Sequence, residues 1–263
     1  MNTQIVTFYQ FRSTPPERLA LVKSRLERDA QDAGIRGLTI YGQEGINATL
    51  SGSKDNLTRF IQAIQDLFPL APEDLKWSTA NEHPFGFFQV KIRKEIVTLG
   101  TPDLVPHEPI DHHLEPSEFH KALQDPETVV IDTRNWYETE MGKFRRAIDP
   151  HIKEFREFPE FVKNSAIDKD KKVLIYCTGG IRCEKAILEM RRQGYQNVFQ
   201  LKGGILRYLE QFPNQEFEGD CFVFDNRIAV DQNLQPAERY EFCEVCGQAH
   251  LIGQACRHKA VTA

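Results

Sequence analysis

The stretch Val173-Leu174-Ile175-Tyr176-Cys177-Thr178-Gly179-Gly180-Ile181-Arg182-Cys183-Glu184-Lys185-Ala186 runs from an apolar segment through a cysteine and two glycines into a helix-forming segment with Ala186, Ile187, Leu188 and Met190. The pattern puts Cys177 at the C-terminal end of a strand and beside a helix N-terminus. Backbone N–H groups of such a loop point at a bound anion, and the helix dipole adds partial positive charge. Both lower a thiol pKa from its ordinary value of about 8.5 and favour the nucleophilic thiolate. Arg182 adds a full positive charge. A structural cysteine gains nothing from these surroundings, so the stretch reads as a reactive thiol with Arg182 as its cationic partner and Thr178, Gly179, Gly180 and Ile181 as its loop.

Four residues separate Cys177 from Arg182, a six-residue loop. In this it resembles rhodanese-like domains, which hold sulfur as a cysteine persulfide. Related dual-specificity phosphatases have one residue more, which makes room for a phosphate. The surroundings extend the resemblance. Val129-Val130-Ile131-Asp132-Thr133-Arg134 reads as a strand ending in an Asp-x-Arg turn, with Glu138 and Gly142 after it. Asn197-Val198-Phe199-Gln200-Leu201 is a further strand, leading into Lys202-Gly203-Gly204 and a short helix over 205–209. Alternating strand and helix signals predict a parallel α/β sheet, whose ligands bind at the carboxyl ends of the strands, where Cys177 lies.

A chain of 263 residues, 40% hydrophobic, suggests two domains with real cores. It has no apolar run long enough to span a membrane and no signal-peptide pattern. Six cysteines in a chain this long read as reactive or metal-binding thiols of a cytoplasmic protein, not as a disulfide framework. A net charge of −5 argues against a generally basic nucleic-acid coat and leaves room for a local basic patch.

Residues 1–100 read as a separate domain. Strand signals fall at 5–11, 38–41, 46–50, 75–78 and 87–99. One helix carries Leu19, Val22, Leu26, Ala30 and Ala33, and a second, capped by Ser53, carries Leu57, Phe60, Ile61, Ile64 and Leu67. This β-α-β-β-α-β order is ferredoxin-like. Residues 101–110 form a linker, 111–217 the rhodanese-like domain, and 218–263 a C-terminal Cys-rich extension. In the segment Phe87-Phe88-Gln89-Val90-Lys91-Ile92-Arg93, alternation puts Phe88, Val90 and Ile92 on the helix-packed face, and Phe87, Gln89, Lys91 and Arg93 on the other. A ring beside two cations suits a base and its phosphates, and suits an ordinary solvated sheet face as well. The cations at 145–146, 169–172 and 191–192 are equally ambiguous.

Taken together, several segments resemble the oxygen-dependent tRNA uridine hydroxylases, a rhodanese-domain family that makes 5-hydroxyuridine at wobble position 34. They are Glu44-Gly45-Ile46-Asn47-Ala48-Thr49-Leu50-Ser51-Gly52, Phe155-Arg156-Glu157-Phe158-Pro159, the run from Cys177 to Lys185, Gly203-Gly204-Ile205-Leu206 and Gly219-Asp220-Cys221-Phe222-Val223-Phe224-Asp225. The match spans roughly residues 5–230. It implies tRNA as partner, molecular oxygen as substrate and an essential cysteine at Cys177, and it strengthens an RNA-binding role for Phe87, Lys91 and Arg93. No motif asks for an organic cofactor. Uracil C5 is not acidic, but a thiolate adding to C6 makes C5 electron-rich enough to meet oxygen, with loop N–H groups stabilising the developing oxyanion.

Asp132 and Arg134 sit at a neighbouring strand end, where a structural role is the simpler expectation. Cys183 could resolve an oxidised Cys177, but base rates for a small buried thiol favour packing. Cys221 reads as a buried strand residue. In the extension, Cys243-Glu244-Val245-Cys246 with His250, Cys256 and His258 can supply a zinc tetrahedron from Cys243, Cys246, Cys256 and one histidine. The Cys-x-His second half departs from the usual pair. The main alternative is a sulfurtransferase carrying persulfide on Cys177; a binding-only rhodanese domain would not need the intact cysteine, glycines and Arg182.

Overall fold

In a computed structural model, which describes residues 3–106, 112–254 and 256, the first unit is built from β1 (Thr3–Phe11), α1 (Leu19–Asp32), β2 (Arg36–Gly42), β3 (Gly45–Gly52), α2 (Lys54–Ala63), β4 (Lys76–Ala80) and β5 (Phe88–Ile92). The strands lie in the order β4-β1-β3-β2-β5. The first four form antiparallel ladders, and β5 joins the edge parallel to β2. This is the expected ferredoxin-like unit with one added strand. Ser53 caps α2 as expected, its hydroxyl accepting from the Asn56 N–H at 3.2 Å. Val22, Leu26 and Ala30 of α1 and Leu57, Phe60 and Ile61 of α2 cover one sheet face, against Val6, Phe8, Ala48 and Leu50. The other face keeps the alternate, half-buried residues, among them Thr7, Tyr9, Leu38 and Asn47. The strand expected to run on to 99 stops at Ile92. Glu95 turns inward, and its carboxylate accepts from the Leu99 and Gly100 N–H groups at 3.1 and 3.0 Å. That local turn takes the place of a ladder.

The second unit contains β6 (His113–Leu114), α3 (Pro116–Leu123), β7 (Val129–Asp132), α4 (Trp136–Thr139), β8 (Gly142–Phe144), α5 (Phe158–Asn164), β9 (Val173–Tyr176), α6 (Ile181–Arg192), β10 (Val198–Leu201) and α7 (Gly204–Gln211). β6, β10, β9 and β7 pair in that order, all parallel. β9 is inside this sheet and buried at every position, which is why Val173 to Tyr176 reads as an unbroken apolar run. α3 and α7 cover one face of the sheet, α5 and α6 the other.

The chain after 211 is partly welded to this core. β11 (Phe217–Gly219) pairs with β8, and Phe217, Cys221, Val223 and Val230 are buried with α3 and α7. β12 (Cys221–Phe222) and β13 (Ala229–Val230) form a hairpin; β14 (Tyr240–Phe242) and β15 (Ala249–Leu251) form a second. Cys221 is the buried strand residue expected. Of the linker expected over 101–110, residues 107–110 lie outside the described residues. Among the described residues no helix is long and apolar enough to cross a membrane.

Candidate active site

Cys177 follows β9 directly and is 1% exposed. The chain then turns through residues 178–180 into α6. Gly180 sits at the helix N-cap with φ of +102°, and its N–H donates to the Cys177 Sγ at 3.1 Å. Burial pushes the Cys177 thiol up. A hydrogen bond from Cys183, the Arg182 charge and the backbone N–H groups of Arg182 and Gly180 more than offset it, bringing the thiol down to about 6. These surroundings favour the Cys177 thiolate. α7 holds the loop from behind: the Ile205 and Leu206 N–H groups donate to the Cys177 and Thr178 carbonyls at 3.0 and 3.1 Å. Only glycine permits this approach, because a Cβ at Gly204 would lie 2.5 Å from both carbonyl oxygens and its φ is +67°. The Gly203-Gly204 pair in the sequence is thus part of the thiol's cradle.

Arg182 is not free to grip a phosphate with its fork. Its two terminal nitrogens donate to Glu138 at 2.6 and 2.7 Å, and both side chains are buried. Glu138 was visible in the sequence only as a residue after the Asp-x-Arg turn. The signal that could have marked it is its place at the start of α4, where its carboxylate accepts from the Asn135 N–H. Asp132 and Arg134 form a second buried pair, with the guanidinium on Asp132 at 2.7 Å and on the Gly142 carbonyl at 2.6 Å. That pair staples β7 to β8 and agrees with the structural role expected for it. Cys183 is fully buried in the core of α5 and α6, as packing requires. It shares that buried cluster with Cys177, whose charge helps to push its thiol up, and its Sγ lies 3.7 Å from the Thr133 Oγ1.

The first unit completes the site. Tyr9 of β1 donates to Glu184 at 2.8 Å, one residue past Cys183, and Glu184 also meets His113 at 3.0 Å and Gln200 at 2.8 Å. Lys185 is wholly buried between Glu44 of the β2–β3 turn, at 2.7 Å, and Glu95, at 2.8 Å. Between the two units lies a cleft of about 480 Å³, within the roughly 300–1,000 Å³ typical of small-ligand pockets. Tyr9, Ile40 and Asn47 of the open sheet face line one side, and Cys177 and Arg182 the other. Phe224, 55% exposed, stands at its lip with its ring 5.6 Å from the Arg182 guanidinium.

Of the three residues expected to meet RNA, Arg93 lines the cleft and a neighbouring groove with Arg12 and Lys94. Lys91 pairs in register with Ile40 and so shares the cleft-side face of the sheet. Phe87 is exposed but does not line the cleft. The other face is as expected for Phe88 and Val90, which pack on the helices, while Ile92, the last residue of the edge strand β5, departs from it: it is 38% exposed and lines the neighbouring groove. In the extension, the sulfurs of Cys243, Cys246 and Cys256 lie within 4.8 Å of one another. A zinc–sulfur distance of about 2.3 Å needs sulfurs about 3.8 Å apart, so this donor set fits a metal with little closing. His250 is turned to the Leu251 carbonyl and Glu241. His258 lies outside the described residues.

Comparison with known proteins finds two matching family models, a UPF0176 acylphosphatase-like domain over residues 3–96 and a rhodanese-like domain over residues 115–211. The chain is 44% identical to the tRNA uridine(34) hydroxylase of Bdellovibrio bacteriovorus over 98% of its own length and 73% of the relative's. It is 41% identical to that of Sinorhizobium medicae, covering 93% of the chain and 78% of the relative, and 42% identical to that of Legionella pneumophila, covering 88% and 91%. Among solved structures, a rhodanese-like domain from Anabaena aligns at 18% identity and a TM-score of 0.36, covering 42% of the chain and 80% of that domain.

Proposed function

The chain belongs to the tRNA uridine(34) hydroxylase family, and on that premise we propose that it converts the wobble uridine of tRNA to 5-hydroxyuridine with molecular oxygen, using Cys177 as the nucleophile. The observation that carries this reading is a cysteine thiol lowered to about 6 at the floor of a cleft between two units. A thiol-activating loop alone serves a sulfurtransferase equally well. Membership of the hydroxylase family, together with a first-unit sheet that lines the cleft opposite Cys177, is why hydroxylation is favoured over persulfide transfer.

In this reaction the wobble base leaves its stack and enters the cleft, at modest cost for a loop nucleotide. Phe224 at the lip offers it a stacking surface. The Cys177 thiolate adds to C6, and charge moves through C5 to the C4 oxygen. Oxygen takes up C5, first by electron transfer and then by radical recombination, giving a C5 peroxide. Glu138 keeps Arg182 charged and fixed beside the sulfur, so the thiolate is stabilised before addition and as a leaving group afterwards. Arg93 and Lys91 receive phosphates next to the base. Glu44, Glu95 and Lys185 lock the units so that the cleft keeps its width. Its substrate makes this an oxidoreductase of the cytoplasm. The Cys243, Cys246 and Cys256 cluster takes a zinc with a structural role; less than one equivalent of metal in gently purified protein would refute that.

The deciding experiment is nucleoside mass spectrometry of unmodified tRNA incubated with the protein in air and under argon. The expected result is 5-hydroxyuridine in air only, absent with Cys177→Ser. If Cys177→Ser retains hydroxylation, covalent addition fails. If folded wild-type protein gives no product, sulfur transfer becomes the better reading, and persulfide on Cys177 is the next thing to trap.

A further inference from the structure

Hydroxylation by dioxygen leaves an account to close. One oxygen atom enters the base and the other becomes water, and the C–H bond supplies only two of the four electrons. The structure contains a buried nucleophilic group that the addition step does not use: Cys183, which lies in the same buried cluster as Cys177, with its Sγ 3.7 Å from the Thr133 Oγ1. The two are joined through one turn. The Gly180 N–H donates to the Cys177 Sγ at 3.1 Å, and the Gly180 carbonyl accepts from the Cys183 N–H at 3.1 Å.

We infer that Cys183 is the resolving thiol of the reaction, and that the Cys177–Cys183 pair delivers the two missing electrons by closing to a disulfide in each turnover. The inference rests on the hydroxylase reading. After oxygen adds at C5, the C5 proton leaves to water and the C6–sulfur bond breaks, which restores the C5=C6 bond and frees Cys177 as thiolate beside a C5 hydroperoxide. The thiolate attacks the distal peroxide oxygen. The O–O bond breaks, the C5 oxygen departs as an enolate that is protonated to the product hydroxyl, and Cys177 becomes a sulfenic acid. The Cys183 sulfur then displaces hydroxide from the Cys177 sulfur, and the hydroxide leaves as water with the Cys183 proton. A small-molecule or protein dithiol reduces the disulfide for the next cycle. The sum is uridine, oxygen and two thiols giving 5-hydroxyuridine, water and one disulfide.

The placement of Cys183 suits this sequence of events. It needs no access to the base, because Cys177 alone touches the peroxide. Burial, then the neighbouring Cys177 thiolate, hold the Cys183 thiol up and protonated in the resting enzyme. Once Cys177 becomes a neutral sulfenic acid that repulsion is gone, and Cys183 ionises more readily, in the first turn of α6.

The test is a single turnover. Fully reduced enzyme, stripped of reductant, is mixed with unmodified tRNA in air, quenched with an alkylating agent and cut with trypsin. Cleavage after Arg182 separates Val173–Arg182 from Cys183–Lys185, so a disulfide appears as these two peptides joined. The expected result is one joined pair per 5-hydroxyuridine formed and none without tRNA or under argon. In Cys183→Ala and Cys183→Ser the joined pair is lost, and a sulfenic acid on Cys177, labelled by dimedone, takes its place after one turnover. Product with both thiols still free to alkylate would overturn the inference and leave the hydroxylase reading intact. So would a disulfide that forms equally without tRNA. Absence of product in every arm, including one with excess dithiol, removes the hydroxylase reading and this inference with it. The wild-type arm decides the matter even if the variants fold poorly.

Discussion

Replacing Lys185 by methionine should destabilise the protein by about 3–5 kcal/mol, because it strands two carboxylates that have been taken out of water. Lys185 is 0% exposed, with Glu44 and Glu95 each within 3 Å, and those acids come from the other unit. Against a urea dependence of about 3 kcal/mol/M for a chain of this size, a loss of about 4 kcal/mol lowers the denaturation midpoint by on the order of 1 M. The loss is pH-dependent with a definite sign. Burial raises Glu44 while Lys185 opposes it; in the variant the opposition is gone and the carboxyl is raised further. A carboxyl raised in the folded state contributes stability that is fully present below its unfolded value of about 4.3 and is lost as pH rises through the folded value. The variant's deficit therefore shrinks as pH falls and grows as pH rises. Adding Glu44→Gln and Glu95→Gln should recover much of it, since the buried charges are gone and the amide oxygens still accept from Ile96 and from one of the Leu99 and Gly100 N–H groups. Urea titrations at pH 5 and pH 8 check this. A midpoint shift under about 0.3 M at pH 8, or the same shift at both, would refute the reasoning.

Four further outcomes follow from the site. Alkylation of Cys177 should speed up with pH through an inflection near 6. Cys183→Ala should move that inflection up by about 1–2 units, the worth of a hydrogen bond to a charged group; an unmoved profile would show that Cys183 does not lower it. Gly204→Ala should cost about 2–4 kcal/mol in thermal unfolding and lower kcat as well, because its Cβ strikes the Cys177 and Thr178 carbonyls. Arg93→Glu should raise KM for tRNA on the order of tenfold with kcat kept and a shallower salt dependence; an unchanged KM would take Arg93 out of the RNA path.

Much of this protein was legible in short windows of sequence. The strand–cysteine–glycine–helix run, the unbroken apolar β9 and the Ser53 cap are local patterns, and each formed as its periodicity and loop chemistry require. The ferredoxin-like order followed from the same rules. Where the local rule met a tertiary competitor it failed: residues 93–99 look like more strand, yet Glu95 closes a turn there. Ile92, apolar and in phase, is the last residue of an edge strand and opens onto a groove instead of the core.

The sequence by itself determined where the thiol sits and what backbone surrounds it, because the four residues 177–180 between a strand and a helix have few conformations. It could not determine the partners of buried charge. Glu138 meets Arg182 from 44 residues away, and Glu95 meets Lys185 from 90. Tyr9 meets Glu184 across 175. Nothing periodic links such pairs. They are chosen when two units close and each charge leaving water must find its opposite, and that closure is also what turns a reactive cysteine into the floor of a cleft.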